Sequence, residues 1–337
     1  MGKEQEVTFT FEPVWVIEDL LVFIATAATI FYIVKREAQP IARLMEMFAF
    51  VLLDSAIYEN VATLAHLYEF GRSSIMVFNI PIAVPLFEYM VLYGSLKLFE
   101  RTRMPVWLKP IGAGFFGVVA DFTLDPVSVY QRFRTLEGTI GRWTWFPGPG
   151  EPTLATESVK NFSGWMLIIG FGAIFVLLGR EWHRRSGFSA LVGYLYPIIA
   201  AVLSLLLLLT PVASFLLNVW PFFPFNGPSE WAPLAVYLIV PPVLLAVFWR
   251  GRMKGAYTLK GDFPVFVFLG GFPIVNLLFT IIGGYTPILS LELIFTVVME
   301  LLLASILLAS RRWSAKNPAP AESVRSSGAT ESASAEA

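Results

Sequence analysis

The sequence is poor in the residues that build most soluble active sites. It has no cysteine among 337 residues, which excludes disulfides, thiolate metal sites and a cysteine nucleophile. With only two histidines, histidine-rich metal sites and a haem held by two imidazoles are not expected. Charged residues make up 15% of the chain, against about 25% in a typical soluble domain. These deficits argue against a soluble enzyme or a disordered chain, and no metal, other cofactor or nucleic-acid partner is expected.

The residues that replace them are apolar and lie in long runs. Hydrophobic residues make up 56% of the sequence, and the mean hydropathy is +0.67. Runs of about 20 apolar residues are long enough to cross a bilayer. The pattern predicts an all-α, polytopic transmembrane helix bundle in the cell membrane, over residues 1–313, followed by a disordered Ala/Ser/Glu-rich tail, 314–337. Nine helices are predicted: 14–34, 44–66, 75–98, 106–125, 161–179, 189–217, 232–249, 263–283 and 288–309.

Basic residues predict the orientation of these spans. Alternate loops carry 18 of the 24 lysines and arginines, and positive charge concentrates on the cytoplasmic side of membrane proteins. The N-terminus is therefore expected outside and the C-terminus in the cytoplasm. The polar segment Met1–Pro13 lacks the pattern of a cleaved signal peptide.

Acidic residues at membrane depth are the most informative feature. No lysine or arginine lies in the middle of a predicted span to neutralise them. An ionised carboxylate there costs at least about 2.5 kcal/mol, so such residues are usually functional. Desolvation favours protonation, and a buried protonated carboxyl can serve as a general acid. Ten acids fall within predicted spans: Glu18, Asp19, Glu46, Asp54, Glu59, Glu88, Asp121, Asp125, Glu292 and Glu300.

The predicted topology places several of these acids in one layer near the outer side. Asp121 and Asp125 are four residues apart and share a helix face. Glu59 lies near the outer end of the second helix, and Glu88 lies deeper. Glu59 and Asp121 have no simple structural explanation, since neither marks a clear helix end.

Other acidic and polar residues have ordinary structural explanations. Glu18 and Asp19 can reach the lipid headgroups, and Glu46 can pair with Arg43. Asp125 can cap a short interfacial helix with Pro126 in its first turn. Asn161 can be the N-cap of the fifth helix.

Three tryptophans lie close along the chain to these polar residues: Trp143, Trp145 and Trp165. Aromatic faces attract cations, which suits a site that shelters a carbocation. Anchoring at the membrane interface is the structural alternative for each of them.

Three motifs resemble a known family. They are the segments 121–127 (DFTLDPV), 141–145 (GRWTW) and 161–165 (NFSGW). In this order they resemble the Asp-x-x-Leu-Asp-Pro, Trp-x-Trp and Asn-Phe-x-Gly-Trp runs of the membrane carotenoid biosynthesis proteins that include carotenoid hydratases. Glu59 and the segment 80–86 (IPIAVPL) look like that family's helix 2 acid and Val-Pro/Ile-Pro segment. The similarity covers residues 45–185, and Glu88 stands where the family tends to carry tryptophan.

The resemblance implies the addition of water to the terminal C=C bond of an acyclic carotenoid end group. Asp121, with Glu59 as second candidate, would protonate the alkene, and Asp125 and Asn161 would hold the water. Trp143 and Trp145 would shield the cation, and the expected substrate-binding residues are Trp143, Trp145, Trp165 and Glu88. The expected partners are a hydrophobic carotenoid or other isoprenoid, membrane lipid and other membrane enzymes of the carotenoid pathway.

Two other functions fit parts of the pattern. The Asp-x-x-x-Asp spacing also suits an intramembrane prenyltransferase, in which acids bind diphosphate through Mg²⁺, although a second aspartate-rich motif is missing. Unpaired buried acids and the helix-breaking residues Pro81, Pro85 and Pro211 also suit a proton-coupled transporter or lipid-binding membrane protein.

Overall fold

The computed structural model describes residues 13–135, 138–218, 230–249 and 253–316. These residues form a helix bundle capped at one end by short β-hairpins. The predicted disordered tail, apart from its first residues, lies outside the described residues.

The first half of the bundle contains eight helical segments, one of them a π-helix. A π-helix carries an extra residue within the turn and is often found at functional sites. Here it joins two α-helices into one continuous rod. The segments are α1 (Pro13–Arg36), α2 (Pro40–Ala49), π1 (Phe50–Ser55), α3 (Ala56–Leu64), α4 (Ala83–Glu100), α5 (Leu108–Asp121), α6 (Asp125–Tyr130) and α7 (Val159–Arg185).

The second half contains six further helical segments. The helix predicted over 189–217 is therefore divided near Thr210, because Pro211 cannot donate the backbone hydrogen bond that would continue the helix. The segments are α8 (Ala190–Leu208), α9 (Pro211–Asn218), α10 (Trp231–Trp249), π2 (Val265–Gly271), α11 (Phe272–Ile282) and α12 (Thr286–Lys316).

Seven helices among the described residues are long and apolar enough to cross a membrane. The membrane-protein prediction is therefore supported as a multi-pass helical architecture. The nine predicted spans are not all recovered, because neither α4 nor the rod of α2, π1 and α3, which covers most of the span predicted over 44–66, is among the seven. The seven are Val14–Arg36, Leu108–Tyr130, Val159–Arg185, Ala190–Leu208, Trp231–Trp249, Val265–Ile282 and Thr286–Ser314.

The helix predicted over 75–98 is wrong at its start. Residues 76–81 form a hairpin in which β2 (Met76–Val77) pairs with β3 (Ile80–Pro81), and α4 begins only at Ala83. Pro81 lacks an N–H and restricts the residue before it to extended conformations, so this apolar stretch does not start as a helix.

Three other hairpin-like pairings lie at the same end of the bundle, and none was predicted. The strand β1 (Tyr68–Phe70) pairs with β6 (Trp143–Trp145), bringing together segments more than 70 residues apart. The remaining pairs are β4 (Arg132–Thr135) with β5 (Gly138–Gly141) and β7 (Thr153–Leu154) with β8 (Glu157–Ser158).

The helix α7 is central, packing along α5 and α8. Two glycines let α5 approach it closely. A Cβ atom on Gly114 would lie 2.6 Å from the Met166 carbonyl oxygen, and one on Gly117 would lie 2.8 Å from the Ile169 side chain. Small residues at helix contacts are typical of membrane bundles. This contact fixes the C-terminal end of α5 against the N-terminal end of α7, where the predicted acids lie.

Candidate functional site

Asp121 and Asp125 flank a break between two helices. The chain leaves α5 at Asp121, makes a turn closed by a hydrogen bond from the Leu124 N–H to the Asp121 carbonyl oxygen (2.9 Å), and enters α6 at Asp125. Pro126 occupies the first turn of α6, as predicted. Both aspartates are completely buried. The turn therefore points two carboxyl groups into the same interior region.

The Asn161 side chain joins these carboxyl groups to a third. Its amide nitrogen Nδ2 lies 2.6 Å from Asp125 Oδ2, 3.1 Å from Glu157 Oε2 and 3.4 Å from Asp121 Oδ2. The prediction that Asn161 is a helix N-cap is wrong. That position belongs to Ser158, whose Oγ accepts a hydrogen bond from the Lys160 N–H at 3.3 Å.

Glu157 was missed by the sequence analysis. It lies in β8, just before α7, and is completely buried. Burial raises the pKa of Glu157 well above its usual value, and the nearby Asp125 carboxylate raises it further, while the hydrogen bond from Asn161 opposes both effects. The spacing of four residues from Asn161 was the available signal, but a glutamate in a predicted loop gave no reason to expect burial.

Glu59 approaches the same region from α3. The Tyr68 hydroxyl donates a hydrogen bond to Glu59 Oε2 at 2.6 Å, and both residues are buried. Glu59 is close enough to interact electrostatically with Asp125 and with Glu88 of α4. Five carboxyl groups from α3, α4, β8 and the α5–α6 break therefore form one group, which we call the acid cluster: Glu59, Glu88, Asp121, Asp125 and Glu157.

The pairing of β1 with β6 builds an aromatic wall beside Glu59. Trp145 lies opposite Tyr68 in the register, and Trp143 lies opposite Phe70. The ring centroids of Tyr68 are 4.5 Å from Trp145 and 5.4 Å from Trp143. Trp165 reaches the site from α7, where its indole lies against the Asp125 carboxyl. The three predicted tryptophans are therefore brought together around the acids.

A cleft of about 700 Å³ opens between α3 and α7 beside this wall. We call it the acid cleft. Four predicted site residues line it: Glu59, Trp145, Asn161 and Trp165. Asp121 and Asp125 lie behind Asn161 and are not among its lining residues. Glu59 is thus the member of the acid cluster that faces the cleft, and the two aspartates contact it through the Asn161 amide.

Two further buried acids border the cluster. Glu292 of α12 is completely buried, and neither of its carboxyl oxygens has a hydrogen-bond partner among the described residues. It is near enough to interact with Asp125. Asp54, in π1, is completely buried and interacts with Glu88. Buried carboxyl groups therefore continue beyond the cluster in two directions.

Three other acids of the predicted spans, Glu18, Asp19 and Glu46, form salt bridges. Glu46 forms salt bridges with Arg43 (2.6 Å) and with Arg180 (2.7 Å), which confirms the first pairing and adds the second. Glu18 and Asp19 pair with Arg142 at 2.9 Å and 3.0 Å instead of reaching outward alone.

The acid cluster differs from these paired acids. In the described part of the chain, no salt bridge involves Glu59, Glu88, Asp121, Asp125 or Glu157. In the same ranges no group of three or more acidic or histidine side chains has an arrangement that could hold a metal ion. Buried carboxyl groups with a shared amide donor and no basic partner are suited to donating and accepting protons.

Comparison with known proteins identifies no relative, since no family model, curated protein or solved structure matches the chain. The similarity to carotenoid biosynthesis proteins therefore depends on the quoted sequence segments alone and stays a prediction.

Proposed function

We propose that the chain is an integral membrane enzyme that adds water to the terminal C=C bond of an acyclic carotenoid end group. The observation that carries the proposal is the convergence of the acid cluster and the Asn161 amide on an aromatic-walled cleft. Each of the three resembling motifs supplies one part of this site: the two aspartates, the tryptophan pair and the asparagine. A hydrocarbon substrate would reach such a cleft from the bilayer.

The chemistry needs one proton donor and one proton acceptor. Glu59, which faces the cleft, or Asp121 behind it donates a proton to the less substituted alkene carbon, and a tertiary cation forms on the other carbon. Water held by Asn161 and Asp125 attacks that cation, and Asp125 accepts the proton released from the bound water. The sum is alkene plus water giving a tertiary alcohol, with no net proton consumed.

Aromatic rings and exclusion of water supply the remaining stabilisation. The face of Trp145, which lines the acid cleft, attracts a cation through its quadrupole, and the Trp143 ring packs beside it with the two centroids 5.6 Å apart. General acid catalysis contributes about 10²- to 10⁴-fold, so preorganised electrostatics must supply the rest. Glu88 sits beside Glu59 and completes the site on the side of α4.

The same proposal includes the topology. We propose nine membrane passes, with the rod of α2, π1 and α3 and the helix α4 added to the seven apolar helices, the N-terminus outside and the C-terminus in the cytoplasm. The acid cluster then lies toward the outer side of the cell membrane.

The decisive experiment is expression of the chain in cells that accumulate acyclic carotenoids. Mass spectrometry of the pigments is expected to show products heavier by one water. The matched control is the Glu59→Gln, Asp121→Asn double variant at equal membrane abundance. If no hydrated pigment forms across several acyclic end groups, the proposed reaction is wrong.

One observation favours a second candidate, proton-coupled transport. The series of buried carboxyl groups extends from Glu59 through Glu88 to Asp54 in π1, away from the cleft. Buried acids in series are typical of proton relays. Uptake of a labelled isoprenoid into vesicles that depends on a pH gradient, and that Asp54→Asn abolishes, would favour this candidate over hydration.

A further inference from the structure

A second cleft lies on the other side of the aromatic wall that β1 and β6 form. It holds about 690 Å³ of empty space between α1, α4 and α11, and we call it the α11 cleft. Trp165 lines both clefts, and Trp143 lines this one.

Most of its surface is apolar. Phe87 of α4 packs edge-on against Phe272 of α11, with ring centroids 4.8 Å apart, and against Trp165 at 6.1 Å. Leu21 and Val22 of α1 complete the lining on the opposite side. Such walls exclude an ionic ligand from the body of the cleft and favour a long hydrocarbon.

Two uncharged polar side chains, Ser128 and Asn276, interrupt this apolar lining, and the Ser128 hydroxyl already donates a hydrogen bond to the Leu124 carbonyl oxygen at 3.3 Å. Asn276 of α11 lines the cleft and is 6% exposed, and its Nδ2 has no hydrogen-bond partner among the described residues. A buried amide N–H without a partner is costly, so a ligand that places a hydrogen-bond acceptor there removes that cost. The mouth is polar, since the Glu18–Arg142 salt bridge (2.9 Å) also borders the cleft.

We propose that the α11 cleft binds an isoprenoid chain that carries a hydroxyl group, with the hydroxyl on the Asn276 amide. The choice of an isoprenoid rests on the proposed function, whereas the apolar body and the single amide are features of the cleft itself. The cleft would hold a hydroxylated part of a substrate or product while the acid cleft holds the reacting end group.

The test measures binding without any chemistry. The full chain, purified in lipid nanodiscs, is titrated with all-trans-retinol, a hydroxyl-bearing isoprenoid polyene, and binding is followed by energy transfer from tryptophan. The corresponding hydrocarbon without the hydroxyl is titrated in parallel. Saturable binding of retinol is expected, with the hydrocarbon weaker. If neither probe binds, the assigned ligand class is wrong.

Two variants separate the hydroxyl contact from the cleft. Asn276→Leu is expected to weaken retinol binding by about three- to tenfold, the usual effect of one neutral hydrogen bond, and to leave the hydrocarbon unchanged. Val84→Trp, which fills the cleft from α4, is expected to abolish binding of both probes. Leu278→Trp is the matched control, because Leu278 is an exposed residue of α11 outside the cleft lining.

Equal weakening of both probes by Asn276→Leu would overturn the hydroxyl contact. Unchanged binding in Val84→Trp would overturn the location. If Val84→Trp does not accumulate, a photoreactive retinol analogue replaces it, and labelling away from residues 272–279 contradicts the proposal. Binding as expected in a chain that forms no hydrated carotenoid would refute the proposed reaction and leave the cleft assignment standing.

Discussion

Asn161 contacts three carboxyl groups with a side-chain nitrogen that has only two N–H donors. The contacts to Asp125 and Glu157 are the short ones, so Asp121 is the member of the trio that Asn161 holds least directly. The Asp121 carboxyl is also hydrogen-bonded to the Asp125 carboxyl, and such a contact between two carboxyl groups requires that one of them carries a proton. This local arrangement makes Asp121 and its neighbours separable by conservative amide substitutions.

Asp121→Asn is expected to lower the yield of hydrated carotenoid by at least about 10²-fold, the usual contribution of a general acid. The variant should still accumulate in the membrane, because an amide of the same shape avoids a buried charge. Pigment yield per unit of membrane protein is the measurement. Glu300→Gln is the control, because Glu300 lies beside Gly270 of π2 and outside the acid cluster. An active Asp121→Asn variant would remove Asp121 as the acid and leave Glu59.

Glu157→Gln tests the buried carboxyl that the sequence analysis missed. Because the pKa of Glu157 is raised in the folded protein, the folded state binds this proton more tightly than the unfolded state, and stability falls as pH rises above about 4.5, the usual glutamate value. The glutamine variant has no ionisable group at this position, so its stability does not fall with rising pH for this reason. The difference in melting temperature between variant and wild type, in detergent, should therefore grow in favour of the variant with increasing pH. Parallel curves from pH 4 to pH 8 would contradict it.

At the scale of elements, an ion-pair group joins three helices at the end of the bundle opposite the acid cluster. Glu46 of α2 pairs with Arg180 of α7 and accepts a hydrogen bond from the Tyr196 hydroxyl of α8 at 2.5 Å. All three residues are buried or nearly so. Glu46→Ala would remove the closest carboxylate partner of both Arg43 and Arg180, leaving them only the longer contacts to Glu37 (3.7 Å) and Glu100 (3.2 Å).

Breaking a buried pair from one side typically costs about 3–5 kcal/mol, so Glu46→Ala should lower the melting temperature of the purified chain strongly. Glu181→Ala is the matched control: Glu181 pairs with Arg184 and Arg185 on the same helix α7, but at the surface, where ion pairs contribute little. Equal melting temperatures for the two variants would show that the ion pairs of Glu46 do not stabilise the contact between the three helices.

The elements also show what the sequence could and could not predict. Apolar run length located most of the helices because a bilayer demands about 20 apolar residues per crossing. It failed at residues 75–82, since a hydropathy window counts side chains and cannot detect the backbone pairing of Met76 with Pro81. The pairing of β1 with β6 was equally hidden, since no local pattern specifies contact between Tyr68 and Trp145. The motifs did identify Asp121, Asp125 and Asn161 as neighbours, but their common contact with Glu157 depends on a loop conformation.

At the scale of the whole molecule, the two ends of the bundle differ in whether their buried carboxyl groups form salt bridges. At the end with the acid cluster, the five carboxyl groups of the cluster have no salt bridge among the described residues, while Arg142 and Lys160 pair with other acids nearby. At the opposite end, Glu37, Glu46 and Glu100 are all matched with Arg43, Lys97 and Arg180. Basic residues in short loops set the orientation of a membrane protein, so the matched end should face the cytoplasm. The acid cluster would then face outward.

This orientation predicts that a C-terminal fluorescent protein, which folds only in the cytoplasm, will be bright, whereas a C-terminal alkaline phosphatase, which needs the outer side, will be inactive. A phosphatase inserted after Gly148, in the exposed turn that follows the aromatic wall, should be active. The same insertion after Gly187, between α7 and α8, is the matched control and should be inactive. The opposite result at both loops would place the acid cluster on the cytoplasmic side. The predicted orientation would then be wrong, although the architecture of the site would be unchanged. Water and protons for the proposed reaction would in that case come from the cytoplasm.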